Sequence, residues 1–196
     1  LKAMAGLIRA GRQSELYEDG KRGFDRKKIA YVPQLGALQT RLTVFEMVLL
    51  GLAGNLKWHV RKEQLDQDWH TLEDLGIAKI ADQPFHTLSG GQKQLVSMAQ
   101  SLIGKPRVLL LPEQTEAGEK LSFTFDKADY SKLNAVTVFV VHDLMLASRY
   151  GEYLLVLNKG KIHASDRAEN ILTPELIESV YAVNARVMGL PEGYQI

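Results

Sequence analysis

The spacing of apolar positions changes several times along the chain, and each change marks an element. Residues 28–33, "KIAYVP", are a short apolar run closed by Pro33, which predicts a strand with Gln34 in the loop behind it. In "TVFEMVLLGLAG", Thr43 stands three residues before Glu46, the spacing of a capping box, so a helix is predicted over about 44–53. Leu65, Trp69, Leu72 and Leu75 recur at helical spacing within 61–75, and Gly76 can supply a left-handed stop. Leu95, Met98, Ala99, Leu102 and Ile103 repeat at intervals of three and four behind Ser89, predicting a capped helix whose apolar stripe packs in the core. "RVLLL" and "VTVFVV" are continuous apolar runs, suited to strands buried on both faces of a parallel sheet. "YLLVLNKGKIHA" predicts a hairpin turning at 158–160. "TPELIESVYAV" predicts a helix capped by Thr173, with Pro174 in its first turn. The pattern is that of an α/β chain: a mostly parallel sheet covered by helices, with a helical insert over roughly 35–105.

Composition narrows the chemistry. The 196 residues are 45% hydrophobic and 24% charged, which suits a globular domain. With 24 basic and 23 acidic residues the formal charge is +1, so the overall balance does not point to nucleic acid or a membrane surface. There is no cysteine, which removes disulfides, thiolate metal sites and thiol nucleophiles. The longest apolar runs fall well short of the roughly 18 residues needed to cross a bilayer. The chain opens on Leu1 without a methionine, and its start is expected to be truncated.

"LSGGQKQ", residues 88–94, is the sharpest chemical signal. Adjacent glycines at a helix start let backbone amides approach a phosphate, and the serine hydroxyl and helix dipole add donors and positive charge. In isolation such a tripeptide is a loop. With Gln92 and Gln94 behind it and a buried strand soon after, it resembles the signature motif of ATP-binding cassette (ABC) ATPases. Other family landmarks follow in order. Gln34 in "YVPQ" resembles the glutamine that touches magnesium and the attacking water. "RVLLLPE" resembles the Walker B strand, with Glu113 as the catalytic glutamate. His142 in "VVHD" resembles the histidine that contacts the γ-phosphate. Glu113 and His142 both follow buried strands, and parallel sheets bind ligands at that carboxyl edge.

Two departures stand out. The family pattern of aspartate, glutamate, proline and threonine is replaced by Pro112, Glu113, Gln114 and Thr115, so position 112 lacks the carboxylate that holds magnesium through water. The irregular stretch continues to 135, where the usual amphipathic helix is not evident. The glycine-rich phosphate loop is not found in the 196 residues, and "LKAMAGLI" resembles the helix that directly follows it. The expectation is a single P-loop NTPase-like domain over 1–196 that lacks its first strand and that loop.

The details of "FEMVLLG", "TLSGGQKQLVSMAQSL" and "LTPELIESVYAVNARV" resemble ATPase subunits of iron-siderophore, haem and vitamin B12 importers. The resemblance implies ATP and Mg2+ as cofactors and a head-to-tail homodimer in which Ser89, Gly90, Gly91 and Gln92 bind the γ-phosphate held by the other chain. It implies Glu113 and His142 as catalytic residues, Gln34 beside the metal, and transmembrane permease subunits as partners, served by a separate substrate-binding protein. The chain would lie peripherally on the cytoplasmic face of the membrane, with no nucleic-acid partner. Two other classes are a non-hydrolysing cassette-like interaction domain, which Pro112 and the missing phosphate loop both favour, and a chromosome or DNA-repair ATPase. The latter calls for coiled-coil heptads or a basic stripe, and neither appears.

Overall fold

A computed structural model of the chain describes residues 1–7, 17–18, 21–23, 25–33, 40–52, 69–112, 135–190 and 193–195. The chain divides into two compact units, Leu1–Val140 and Val141–Ile196.

In the first unit a two-residue pair of antiparallel strands, β1 (Tyr17–Glu18) and β2 (Lys21–Arg22), precedes three parallel strands. These are β3 (Ile29–Tyr31), β4 (Val108–Leu111) and β5 (Val136–Phe139), in the order β3-β4-β5. The central strand is the most apolar, and Leu109, Leu110 and Leu111 are all buried. The register pairs Tyr31 with Leu110 and Leu111 with Phe139, so all three strands end at one edge. β5 departs from the expected two-sided burial. Its residues are half-buried and Val136 is 65% exposed, because β5 has only β4 as a neighbour among the described strands.

α1 (Val44–Leu49) begins at the predicted capping box: the Thr43 hydroxyl accepts the Glu46 amide at 3.2 Å, and the Glu46 carboxylate accepts the Thr43 amide at 2.8 Å. The helix is shorter than expected, passing into a 3-10 turn at Leu50–Leu52. The reason is tertiary. A methyl on Gly51 would overlap the carbonyl oxygen of Gln100 and lie 2.8 Å from Ile103 Cγ2, so the chain presses backbone to backbone on the neighbouring helix there. The described part of the next helix, α2, covers 69–74 and stops at Gly76, whose φ is +67°. Residues 61–68 of the predicted helix lie outside the described residues. Leu72 and Leu75 are buried as the stripe requires, but Trp69 is 40% exposed, packing edge-on against Phe45 and donating Nε1–H to Glu73 at 3.1 Å. α3 (Gly90–Leu102) carries the predicted core stripe of Leu95, Met98, Ala99 and Leu102. At the chain start, residues 1–7 form hydrogen-bonded turns rather than a regular helix, ending at Gly6 with φ +76°.

The second unit holds α4 (Leu144–Tyr150) and the predicted hairpin of β6 (Tyr153–Asn158) and β7 (Lys161–Arg167). The hairpin turns through Lys159 and Gly160, both at positive φ, the geometry that matches strand twist. Its register shifts between Val156 and Leu157, leaving His163 as the extra residue. The short helix α5 (Ala168–Ile171) leads to α6 (Pro174–Tyr181), where the Thr173 hydroxyl accepts the Leu176 amide and Pro174 occupies the first turn. A last antiparallel pair, β8 (Met188–Leu190) and β9 (Gly193–Gln195), follows.

Candidate functional site

The start of α3 is built from both sides. On entry, a 3-10 turn at Phe85–Thr87 buries Phe85 completely, and the Phe85 amide is held by the Leu42 carbonyl at 2.8 Å. Lys93 lies over the Phe85 ring, 5.8 Å from its centroid. On the helix side, the Gln92 carboxamide oxygen accepts the Ser89 amide at 2.9 Å, and the Ser89 hydroxyl oxygen accepts the Gln92 amide at 3.3 Å. The first intrahelical bond runs from Lys93 N to Ser89 O at 2.9 Å.

That arrangement leaves two amides over. A helix start has four amides without intrahelical partners, and the capping box uses those at its own two positions. The amides of Gly90 and Gly91 have no acceptor among the described residues. Gly90 is exposed, and a side chain on Gly91 would meet nothing within 4 Å. The result is an open pair of backbone donors at the positive end of a thirteen-residue helix, flanked by a hydroxyl that can still donate its proton outward. Such a start suits a phosphate oxygen. Of the sequence-predicted residues, Ser89, Gly90, Gly91 and Gln92 therefore share one helical turn.

The carboxyl edge of the sheet is the second part of the site. The Val32 amide donates to Leu110 O at 3.0 Å and the Val140 amide to Leu111 O at 3.1 Å, so the ladders continue one residue past β3 and β5. Between β3 and β4 the alternation of a parallel pair puts the next rung from the amide of residue 112 to Val32 O. Residue 112 is a proline and has no N–H, so that ladder stops. Gln34 and Glu113 follow directly on Pro33 and Pro112, and both lie outside the described residues, as do 114–134.

His142 belongs to the second unit, where it is exposed and immediately precedes α4. Asp143, which the motif alone left without a role, caps that helix: its Oδ1 accepts the amides of Met145 at 2.7 Å and Leu146 at 3.3 Å. The signal was in the sequence, an aspartate directly before "LMLASRY".

The magnesium implied by the resemblance has no match among the described residues. No group of three or more His, Cys, Asp or Glu stands close enough to hold a metal, and position 112 offers neither carboxylate nor amide. Nor is any helix among the described residues long and apolar enough to cross a membrane.

Comparison with known proteins gives a consistent result. The sequence profile described as ABC transporter matches residues 1–116. An uncharacterized ABC transporter ATP-binding protein of Methanocaldococcus jannaschii is 36% identical over 172 residues, covering 84% of this chain and 67% of that protein. A hemin import ATP-binding protein of Photobacterium damselae is 32% identical, covering 85% and 65%. An iron(3+)-hydroxamate import ATP-binding protein of Bacillus subtilis is 30% identical, covering 84% and 64%. The chain thus spans about two thirds of the length of these relatives. Among solved structures, an inward-facing putative metal-chelate type ABC transporter superposes with a TM-score of 0.72 at 24% identity, over 85% of this chain and 69% of that one. The ADP conformation of an ATP-binding cassette superposes with a TM-score of 0.75 at 22% identity, over 92% and 81%. At those identities the two structures speak to the fold, which is that of ABC ATPases.

Proposed function

The chain belongs to the ABC transporter family, and from that premise we propose that it is the ATP-binding subunit of an importer whose cargo is a metal chelate such as an iron-siderophore complex or haem. The observation that carries the nucleotide reading is the start of α3, with its capped Ser89–Gln92 turn and the outward amides of Gly90 and Gly91. In a head-to-tail dimer these donors meet the γ-phosphate of ATP held by the other chain, so nucleotide joins the two subunits. The cargo class rests on the hemin and hydroxamate import relatives and on the metal-chelate transporter among the structural neighbours.

Water attacks the γ-phosphorus, the bond to the bridging oxygen breaks and ADP leaves. The Glu113 carboxylate accepts the water proton, a role worth roughly 10² to 10⁴ in rate for a general base. Gln34 and His142 contact the γ-phosphate and report its presence. Membrane permease subunits supply the path, and this subunit binds them from the cytoplasmic face. A separate substrate-binding protein delivers cargo on the other side.

Uptake of a labelled ferric chelate into cells lacking the gene tests the reading. Complementation by the full-length protein restores uptake and complementation by Glu113→Gln does not. Equal uptake from both would remove hydrolysis at Glu113 from the account.

A further inference from the structure

We infer that nucleotide binding by this protein depends only weakly on a divalent cation, because Pro112 removes both the carboxylate and the backbone rung that would fix a cation's water shell at the end of β4. The inference rests on the nucleotide reading above and concerns the same site.

Phosphoryl-transfer sites of the P-loop class hold their magnesium with a hydroxyl from the phosphate loop and an aspartate at the end of the Walker B strand. Magnesium keeps several waters and is held through few carboxylates, so each carboxylate counts. β4 is that strand by position. It lies between β3 and β5, its three leucines are buried, and all three strands end at the edge where ligands bind. The next residue is Pro112, half-buried, where the aspartate would stand.

Proline removes two things there. It brings no charge to offset a cation, and the Val32 carbonyl gains no ladder donor from β4, since the rung at 112 needs an N–H. The ladder between β3 and β4 therefore lacks its rung at 112, the position that precedes Glu113 in the sequence. Among the described residues no group of three or more His, Cys, Asp or Glu side chains stands together to take the ion in its place.

Titration calorimetry of the full-length protein with ATP, in excess magnesium and in excess EDTA, tests this. The parent is expected to bind with affinities within about threefold of each other in the two conditions, and Pro112→Asp to bind at least about tenfold more tightly with magnesium than without. Pro112→Ala restores the amide alone. It should keep the weak metal dependence while raising the melting temperature, which separates the carboxylate from the rung and guards against a variant that fails to fold. A tenfold loss of parent affinity in EDTA overturns the inference while leaving the nucleotide reading intact, and so does a Pro112→Asp protein no more metal-dependent than the parent. Absence of ATP binding in both conditions overturns the nucleotide reading itself, and the inference with it.

Discussion

Pro33 and Pro112 close neighbouring parallel strands at one level, each two residues beyond the paired Tyr31 and Leu110. Proline at the end of a strand is ordinary, since the position no longer needs to donate. Only at 112 does it displace a donor that the ladder still calls for. The edge where a nucleotide site is expected is consequently one rung shorter between β3 and β4.

Ser89 has two separable duties, and two substitutions divide them. Ser89→Ala removes the cap of α3 and should cost about 1 kcal/mol of stability. Ser89→Asp keeps a good cap and should melt within about a degree or two of the parent, yet it places a negative charge at the proposed phosphate position. Its ATP-induced dimerisation is therefore expected to be lost. Normal dimerisation by a stable Ser89→Asp protein would show that the start of α3 does not meet phosphate.

Gly51 marks the closest approach of the α1 segment to α3. Gly51→Ala forces a methyl onto the Gln100 carbonyl and toward Ile103, so the helices must part. Overpacking of this kind costs about 1–3 kcal/mol. The fall in denaturant midpoint, with an unchanged slope, is the measurement, and a midpoint equal to the parent's would show that the contact relaxes freely.

Ser97 presents the opposite case. It is 2% exposed on α3 and its hydroxyl has no hydrogen-bond partner among the described residues. Removing an unsatisfied buried hydroxyl with little change of volume should stabilise the protein by about 1 kcal/mol. Thermal unfolding of Ser97→Ala checks this, and a lower melting temperature would mean that the hydroxyl has a partner in solution.

Asp143 caps α4, while its neighbour His142 carries a proposed role at the nucleotide. Asp143→Ala exposes two amides at the start of α4 and should destabilise by about 1 kcal/mol, while Asp143→Asn or Asp143→Ser should recover most of that loss. His142→Ala is expected to lower phosphate release by the full-length protein, whereas Asp143→Asn should leave it close to the parent's. An Asp143→Ala protein as stable as the parent would contradict the capping role.

Much of the architecture was legible because local rules carry it. The Thr43–Glu46 spacing became a reciprocal cap, Ser89 capped its helix, with Gln92 closing the box in return, Thr173 and Pro174 opened theirs, and the 158–160 turn closed its hairpin. What escaped was tertiary. The early end of α1 depends on how closely Gly51 meets Gln100, which no local pattern encodes. β5 reads as a buried strand from its composition, and its exposure follows from its place at one side of the described sheet. The sequence showed that Pro112 lacks a carboxylate. Its effect on the ladder required the register of β3 against β4, because only the pairing identifies Val32 as the acceptor left without a rung. Of the site, Ser89 was readable as the cap of its helix, whereas the phosphate-binding role of 89–92 stands on the resemblance, as do Gln34 and Glu113, which lie outside the described residues.

The central claim is that ATP joins two copies of this chain through the start of α3 and that Glu113 ends the association by hydrolysis. Sedimentation of full-length Glu113→Gln protein with and without ATP measures this most directly, with Ser89→Asp added on the same background. The account predicts a monomer without nucleotide, a lasting dimer with ATP, and a monomer again once Ser89→Asp is present. A Glu113→Gln protein that stays monomeric at saturating ATP, or a dimer indifferent to Ser89→Asp, would contradict it.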